Sequence, residues 1–356
     1  MKNKILVISF LVIIYGFFFI NILVPDQEIS KSERRKLQQF PELDIDDILD
    51  KDFMEDFDDY SVEQFVLRDE FRSLKASYSF NVLGMLDNNG YFVKDDVIYK
   101  SLYPTNKKSI NDFVKKIRIL NDNFNLSNNV YISIIPDKSY YLDDDKYLGI
   151  DYDYLYEEVK KIPYRFIDLR SVLSIDDYYR TDTHWRQERL ENVVRTINKS
   201  MGNETSFNYI ENKYEPFYGV YYGHAALKLK GDVLTYLTND TLDKVIVEDI
   251  EGNNKLYDID SLDGLDSYDV FVGGSTPLVK ITNPNSKSKK ELIMFRDSFG
   301  SSLAPLLVEN YKSVTLVDMS YMTMDVLKEK VDFNNKDILI IYNTLLVNES
   351  NTLKIW

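Results

Sequence analysis

The sequence predicts an α/β domain with a mostly parallel sheet flanked by helices, and three observations carry this. Short apolar, β-branched runs recur at 130–135, 166–169, 270–272, 292–295, 314–317 and 338–342. Residues of helical spacing stand between them, as in Leu190, Val193, Val194, Ile197 and Met201, closed by Gly202. Largely apolar strands separated by amphipathic helices imply a sheet covered on both faces, and 356 residues suffice for one such domain with a helical preface. In sheets of this kind, ligands bind at the carboxyl ends of the strands.

At the N-terminus, Lys2 and Lys4 precede an apolar run over 5–24, interrupted by Ser9, Tyr15, Gly16 and Asn21. About twenty such residues span a bilayer. Positions 21–26 lack the small residues of a cleavage site, so an uncleaved transmembrane signal-anchor over 1–24 is expected. Lys2 and Lys4 against Asp26 and Glu28 favour a single-pass cell-membrane protein with its large domain outside, although Lys31, Arg34, Arg35 and Lys36 oppose that bias.

Residues 25 to about 40 are polar and read as a stalk. In the acidic stretch 44–60, Ile48, Leu49, Phe53, Met54 and Phe57 recur at helical intervals, predicting an amphipathic helix with a solvated acidic face. The order of ligands and glycine needed for an EF-hand is missing. Residues 64–68 lead into a second helix, which completes a stalk and helical segment over 25–85. Asn88-Asn89-Gly90 then turns the chain into a strand at 91–93 and a catalytic domain over 86–356.

A net charge of -15 without a basic run excludes the usual electrostatics of nucleic-acid binding. The absence of cysteine rules out disulfides and thiolate metal sites, and two histidines leave little for a zinc centre. Neither a metal nor a cofactor is therefore expected.

The two histidines are His184 and His224, and His184 lies in Thr181-Asp182-Thr183-His184-Trp185. A carboxylate two residues before an imidazole can orient it. Far downstream, Phe295-Arg296-Asp297-Ser298-Phe299-Gly300 presents a serine where a strand gives way to a helix. Each motif alone also describes a bland feature, a histidine before a helix or an Asp-Ser cap. Together they supply nucleophile, base and orienting acid for acyl transfer: Ser298, His184 and Asp182. The Ser298 N–H at a helix start is one candidate oxyanion donor, and Asn343, after the strand at 338–342, is a second. Asp297 would brace the turn. Tyrosine is abundant, at 27 residues, and Tyr179 and Arg180 before the Asp-x-His run and Tyr222 in a tyrosine-rich block well after it are candidate substrate contacts. Trp185 reads as a brace rather than a sugar platform.

These blocks resemble the DHHW family of bacterial surface proteins, which is similar to alginate O-acetyltransferases of the AlgX and AlgJ type. Further matching blocks are 32–37, Phe40-Pro41, 64–68, Ile135-Pro136-Asp137-Lys138 and Phe217-Tyr218-Gly219. Thr183 stands where the family name has its first His, Ser320 where relatives often carry an Arg before the tyrosine Tyr321, and Arg296 where SGNH enzymes commonly have glycine. The resemblance implies an SGNH-hydrolase-like fold, permuted so that Asp and His precede Ser, and makes Tyr321 a substrate candidate. It further implies transfer of acetyl groups to hydroxyls of an exported polysaccharide, with a membrane-bound O-acyltransferase as acetyl donor. Two alternatives use the same sequence: a carbohydrate esterase with water as acceptor, and a non-enzymatic, membrane-anchored surface or scaffold protein.

Overall fold

The computed structural model describes residues 2–42, 51–126 and 129–356. Ile48 and Leu49 of the expected acidic helix lie outside the described residues. The chain forms two compact units, residues 1–89 with 222–228, and residues 90–221 with 229–356.

In the first unit, helix α1 (Lys2–Leu23) contains an 18-residue stretch of mean hydropathy 2.7 and has no buried residue, so it is long and apolar enough to cross a membrane. The two-residue strands β1 (Ile29–Ser30) and β2 (Arg35–Lys36) pair antiparallel. Helices α2 (Asp52–Glu63) and α3 (Arg68–Asn81) follow. Glu33 receives Arg68 at 2.6 Å and Arg72 at 3.0 Å, and the Gln64 amide donates to the carbonyls of Gln27 and Gln38, so the polar 25–40 segment is tied to both helices.

The second unit opens with the hairpin β3 (Tyr91–Lys94) and β4 (Val97–Lys100). It then builds an eight-stranded sheet from β5 (Val130–Ile135), β6 (Arg165–Ile167), β9 (Ile246–Asp249), β10 (Asn253–Asn254), β11 (Leu278–Thr282), β12 (Glu291–Arg296), β13 (Ser313–Val317) and β14 (Asp337–Asn343), in the order β10-β9-β11-β13-β12-β14-β5-β6. The pairs from β13 through to β6 are parallel. At the other edge β11, β9 and β10 add antiparallel pairs.

Alternation along the central strands fills both faces. Leu292, Met294, Leu339 and Ile341 join Val193, Ile197 and Leu303, from helices α6 (Glu191–Ser200) and α8 (Ser298–Leu307). Ile293, Phe295, Ile338 and Ile340 join residues of α4 (Lys107–Phe124), α5 (Tyr152–Lys160), α9 (Met324–Lys330) and α10 (Thr344–Asn348) on the opposite face. A third cluster, with Tyr179, Phe217, Leu234 and Tyr268, packs with the hairpin β7 (Ile210–Phe217) and β8 (Asp232–Thr238).

The strand expected at 270–272 is absent. Tyr268 and Val270 close a 3-10 turn (Ser267–Val270), after which Val272, Gly273 and Gly274 take left-handed φ values of 53°, 67° and 71°. That backbone cannot continue a ladder, and the apolarity of the run serves burial, of Val270 and Phe271 in the third cluster and of Val272 in the cluster that includes α6 and α8.

Candidate active site

The side chains with chemical potential gather at the carboxyl ends of the central strands. After β12 the chain enters α8 on one face of the sheet, and after β14 it enters α10 on the other. Adjacent strands whose helices leave to opposite faces open a crevice, and Ser298 begins α8 there. Ser298 is exposed, while both neighbours and the whole of β12 after Glu291 are buried.

Asp297 makes this turn. Its Oδ1 accepts the Phe299 N–H at 3.0 Å, its Oδ2 accepts the Asn343 N–H at 2.6 Å, and its carbonyl accepts the Gly300 N–H at 2.9 Å. Those bonds cap α8 and put the Ser298 N–H at the positive end of the helix, where a donor can bind an anionic oxygen. Burial pushes the Asp297 carboxyl up to about 6, with the two N–H donors opposing the shift. A Cβ on Gly300 would stand 2.5 Å from the Arg296 Cβ, so glycine is needed for helix and strand to approach.

His184 reaches Ser298 from a different part of the chain. Its Nε2 lies 2.7 Å from the Ser298 Oγ, and its Nδ1 lies 2.6 Å from the Asp182 Oδ1. A carboxylate only accepts, so Nδ1 carries the proton and Nε2 is left to accept the serine proton. Asp182 is fully buried and held by three N–H donors: the Nδ1–H, the His184 backbone at 2.9 Å and the Val220 backbone at 2.7 Å. Gly219 permits this, because a Cβ there would sit 2.1 Å from the Asp182 Cβ.

The loop that bears Asp182 is fixed in turn. Asp232 accepts the Arg180 and Thr181 N–H groups and the Thr181 hydroxyl. Lys138, buried after β5, donates to the Tyr179 carbonyl at 3.1 Å and the Arg180 carbonyl at 3.3 Å. Desolvation lowers its ammonium to about 7, against the pull of the carboxylates of Asp182, Asp232 and Asp137.

Tyr268 was not legible as a site residue. Its ring stacks on the His184 imidazole, centroids 3.7 Å apart and planes 6° apart, and its hydroxyl donates to the Ser302 Oγ at 2.8 Å. Nothing in the surrounding sequence distinguishes it from the other tyrosines. Trp185 is fully buried and donates to the Phe299 carbonyl and the Ser302 Oγ, binding the Asp-x-His loop to α8.

The expected sugar contacts separate. Tyr179 is 0% exposed and packs on Phe217 at 4.9 Å, so its ring belongs to the core and cannot touch a polymer. Arg180 is partly exposed but paired to Asp232. Tyr222 belongs to the first unit. Tyr321 is 55% exposed, in the turn after β13 that Asp318 organises. Arg296 is buried, paired with Asp318 at 3.3 Å and donating to the Thr276 carbonyl, so it is a structural partner of the next strand end. The Asn343 Oδ1 caps α10 by accepting the Leu346 N–H, which leaves its Nδ2 as a donor. Among the described residues, no group of three His, Asp or Glu side chains is placed to hold a metal.

The family described as DHHW protein matches residues 143–317. A DHHW family protein from Eubacterium siraeum has a similar structure, with 18% identity, a TM-score of 0.60, and coverage of 75% of this chain and 94% of that one. PatB1 of Bacillus cereus, solved with a sulfonyl adduct, gives 18% identity, a TM-score of 0.58, and coverage of 74% and 96%. At such identities the likeness is one of fold. No curated protein matches the chain.

Proposed function

The chain belongs to the DHHW family through residues 143–317, and on that premise we propose that it is a serine-dependent O-acetyltransferase acting on an exported polysaccharide. The observation that carries this reading is an exposed Ser298 at a helix N-terminus, 2.7 Å from an imidazole whose other nitrogen faces a buried carboxylate.

In the proposed reaction, the Ser298 Oγ attacks the acetyl carbonyl as its proton passes to the His184 Nε2. Asp182 stabilises the resulting imidazolium, and the Ser298 N–H and Asn343 Nδ2 receive the oxyanion. The tetrahedral intermediate expels the donor's alkoxide, which takes the proton from His184 and leaves an acetyl-serine. An acceptor hydroxyl then gives its proton to the same nitrogen and attacks the acetyl carbon. Collapse breaks the bond to Ser298, whose oxygen recovers the proton. Arg180 and Tyr321, at the surface, are the proposed acceptor contacts. A membrane-bound O-acyltransferase is the proposed source of acetyl groups. Helix α1 is the proposed single-pass anchor, with the catalytic domain outside the cell.

The test is mass spectrometry of the full chain in detergent after brief exposure to 4-nitrophenyl acetate, beside Ser298→Ala. An acetyl group on Ser298 that oligosaccharides remove into acetylated sugar supports the transferase. Removal by water alone would make the chain an esterase. A folded protein that never acquires the group would be non-enzymatic. The sulfonyl adduct in the PatB1 structure makes a sulfonyl fluoride a suitable second probe of the same hydroxyl.

A further inference from the structure

Helix α3 is built inside out for a water-soluble helix. Its buried residues are Ala76 and Ser79, and its Arg72 turns inward to Glu33 and to the Gly223 carbonyl at 2.9 Å. The large apolar side chains point the other way. Leu67, Phe71, Leu74, Tyr78 and Val82 follow one another at three- and four-residue steps and are between 43% and 64% exposed. The chain beyond the helix adds exposed Leu83, Met85 and Leu86 to the same apolar stretch. Small and polar residues inward with large apolar residues outward is the pattern of a helix whose surroundings are hydrocarbon.

This face is continuous with α1. The Phe17 ring stacks on Phe65 at 5.5 Å and meets Phe71 edge-on at 5.8 Å, while the Asn21 Oδ1 accepts the Val66 N–H at 2.7 Å. Phe17 precedes the end of α1 at Leu23 by six residues, about 9 Å along a helix. If α1 spans the bilayer, the start of α3 is therefore held below the level of the α1 end, at the depth where interfacial helices sit.

We infer that α3 and the residues to Leu86 form a second membrane contact, an interfacial helix whose Leu67–Val82 face enters the acyl region of the bilayer. This inference rests on the proposed anchoring by α1. It makes the segment a membrane-hugging platform in place of a free stalk, and its partner is the lipid surface itself.

Because the chain has no cysteine, single nitroxide labels can be placed on the full-length protein in phosphatidylglycerol–phosphatidylethanolamine vesicles. The labelled variants are Leu74→Cys, Val82→Cys, Asp69→Cys and, in mid α1, Val12→Cys. Collision with oxygen and with a water-soluble nickel chelate reports depth. The inference expects labels at positions 74 and 82 about 5–10 Å below the phosphates, the one at 69 in water and the one at 12 in the hydrocarbon core. Water-exposed labels at 74 and 82 beside a deep label at 12 would overturn the inference while sparing the anchor. Immobilised labels at 74 and 82 shielded from both reagents would also overturn it, showing that protein covers the face. A water-exposed label at 12 would remove the anchoring premise as well.

Discussion

The Tyr268 ring lies parallel to the His184 imidazole at 3.7 Å between centroids, and the Tyr268 hydroxyl is bound to Ser302 on the helix that Ser298 begins. One side chain thus fixes the plane of the proposed base and ties it to the element that carries the proposed nucleophile. An imidazole held between Tyr268, Asp182 and Ser298 loses little entropy on reaching the reactive geometry.

Substitutions at Tyr268 should separate the ring from the hydroxyl. Tyr268→Phe keeps the stack, loses one buried hydrogen bond and is expected to lower stability by about 1 kcal/mol with acetyl-transfer rates changed by less than about threefold. Tyr268→Leu removes the flat support and should lower kcat by about tenfold or more, with KM little altered. Urea unfolding and steady-state kinetics of both variants check this; equal kinetics would show that the ring positions nothing.

Asp182→Asn should cost about 10³–10⁴ in kcat without unfolding the chain. Three N–H donors converge on this carboxylate, and an amide has one oxygen to answer them. The surviving amide donor favours the His184 tautomer with a bare Nδ1, which puts the proton on the nitrogen that should accept from Ser298. Hydrolysis of 4-nitrophenyl acetate by the variant measures the loss.

Gly219→Ala places a methyl where Asp182 already stands, 2.1 Å from its Cβ. The loop must move, and the expected cost is about 3 kcal/mol of stability. Acyl transfer should fall because Asp182 is displaced from His184. A variant with unchanged melting temperature and rate would show that this contact relaxes freely.

Asp297 predicts a pH dependence of stability. Its folded-state pKa, raised by burial to about 6, exceeds the value near 3.8 expected in the unfolded chain. A raised carboxyl stabilises the fold below about pH 4, and that contribution is lost as pH rises through 6. Asp297→Asn does not titrate. The stability of the parent minus that of the variant should therefore fall between pH 4 and pH 7, by up to about 3 kcal/mol. Urea unfolding at the two pH values provides the comparison; a difference that rises with pH would contradict the sign.

Much of the second unit was legible because its physics is local. The run Val130–Ile135 is apolar at every position but Ser133, as befits a strand buried on both faces. The helix stripe Val193, Val194 and Ile197 likewise announces its own buried face. The edge strands β9 to β11 and the hairpin β7–β8 were missed, since their alternating or mixed residues take on meaning only once a partner strand is present. The run at 270–272 misled because burial in a turn and burial in a strand ask for the same residue types.

What the sequence determined by itself was the inventory: one Asp-x-His pair, one serine at a strand-to-helix turn and an apolar N-terminal helix of membrane length. Only the tertiary structure decided which atoms meet. His184 and Ser298 stand 114 positions apart in the sequence, and the docking of the Asp182–Trp185 loop on α8 brings them to a 2.7 Å contact that no local pattern encodes. The same packing removed Tyr179 from the surface, set Tyr268 against the imidazole and gave Gly219 its purpose beside Asp182. Local propensity depends on a residue and its near neighbours, whereas each of these roles depends on what another part of the chain brings to the same place.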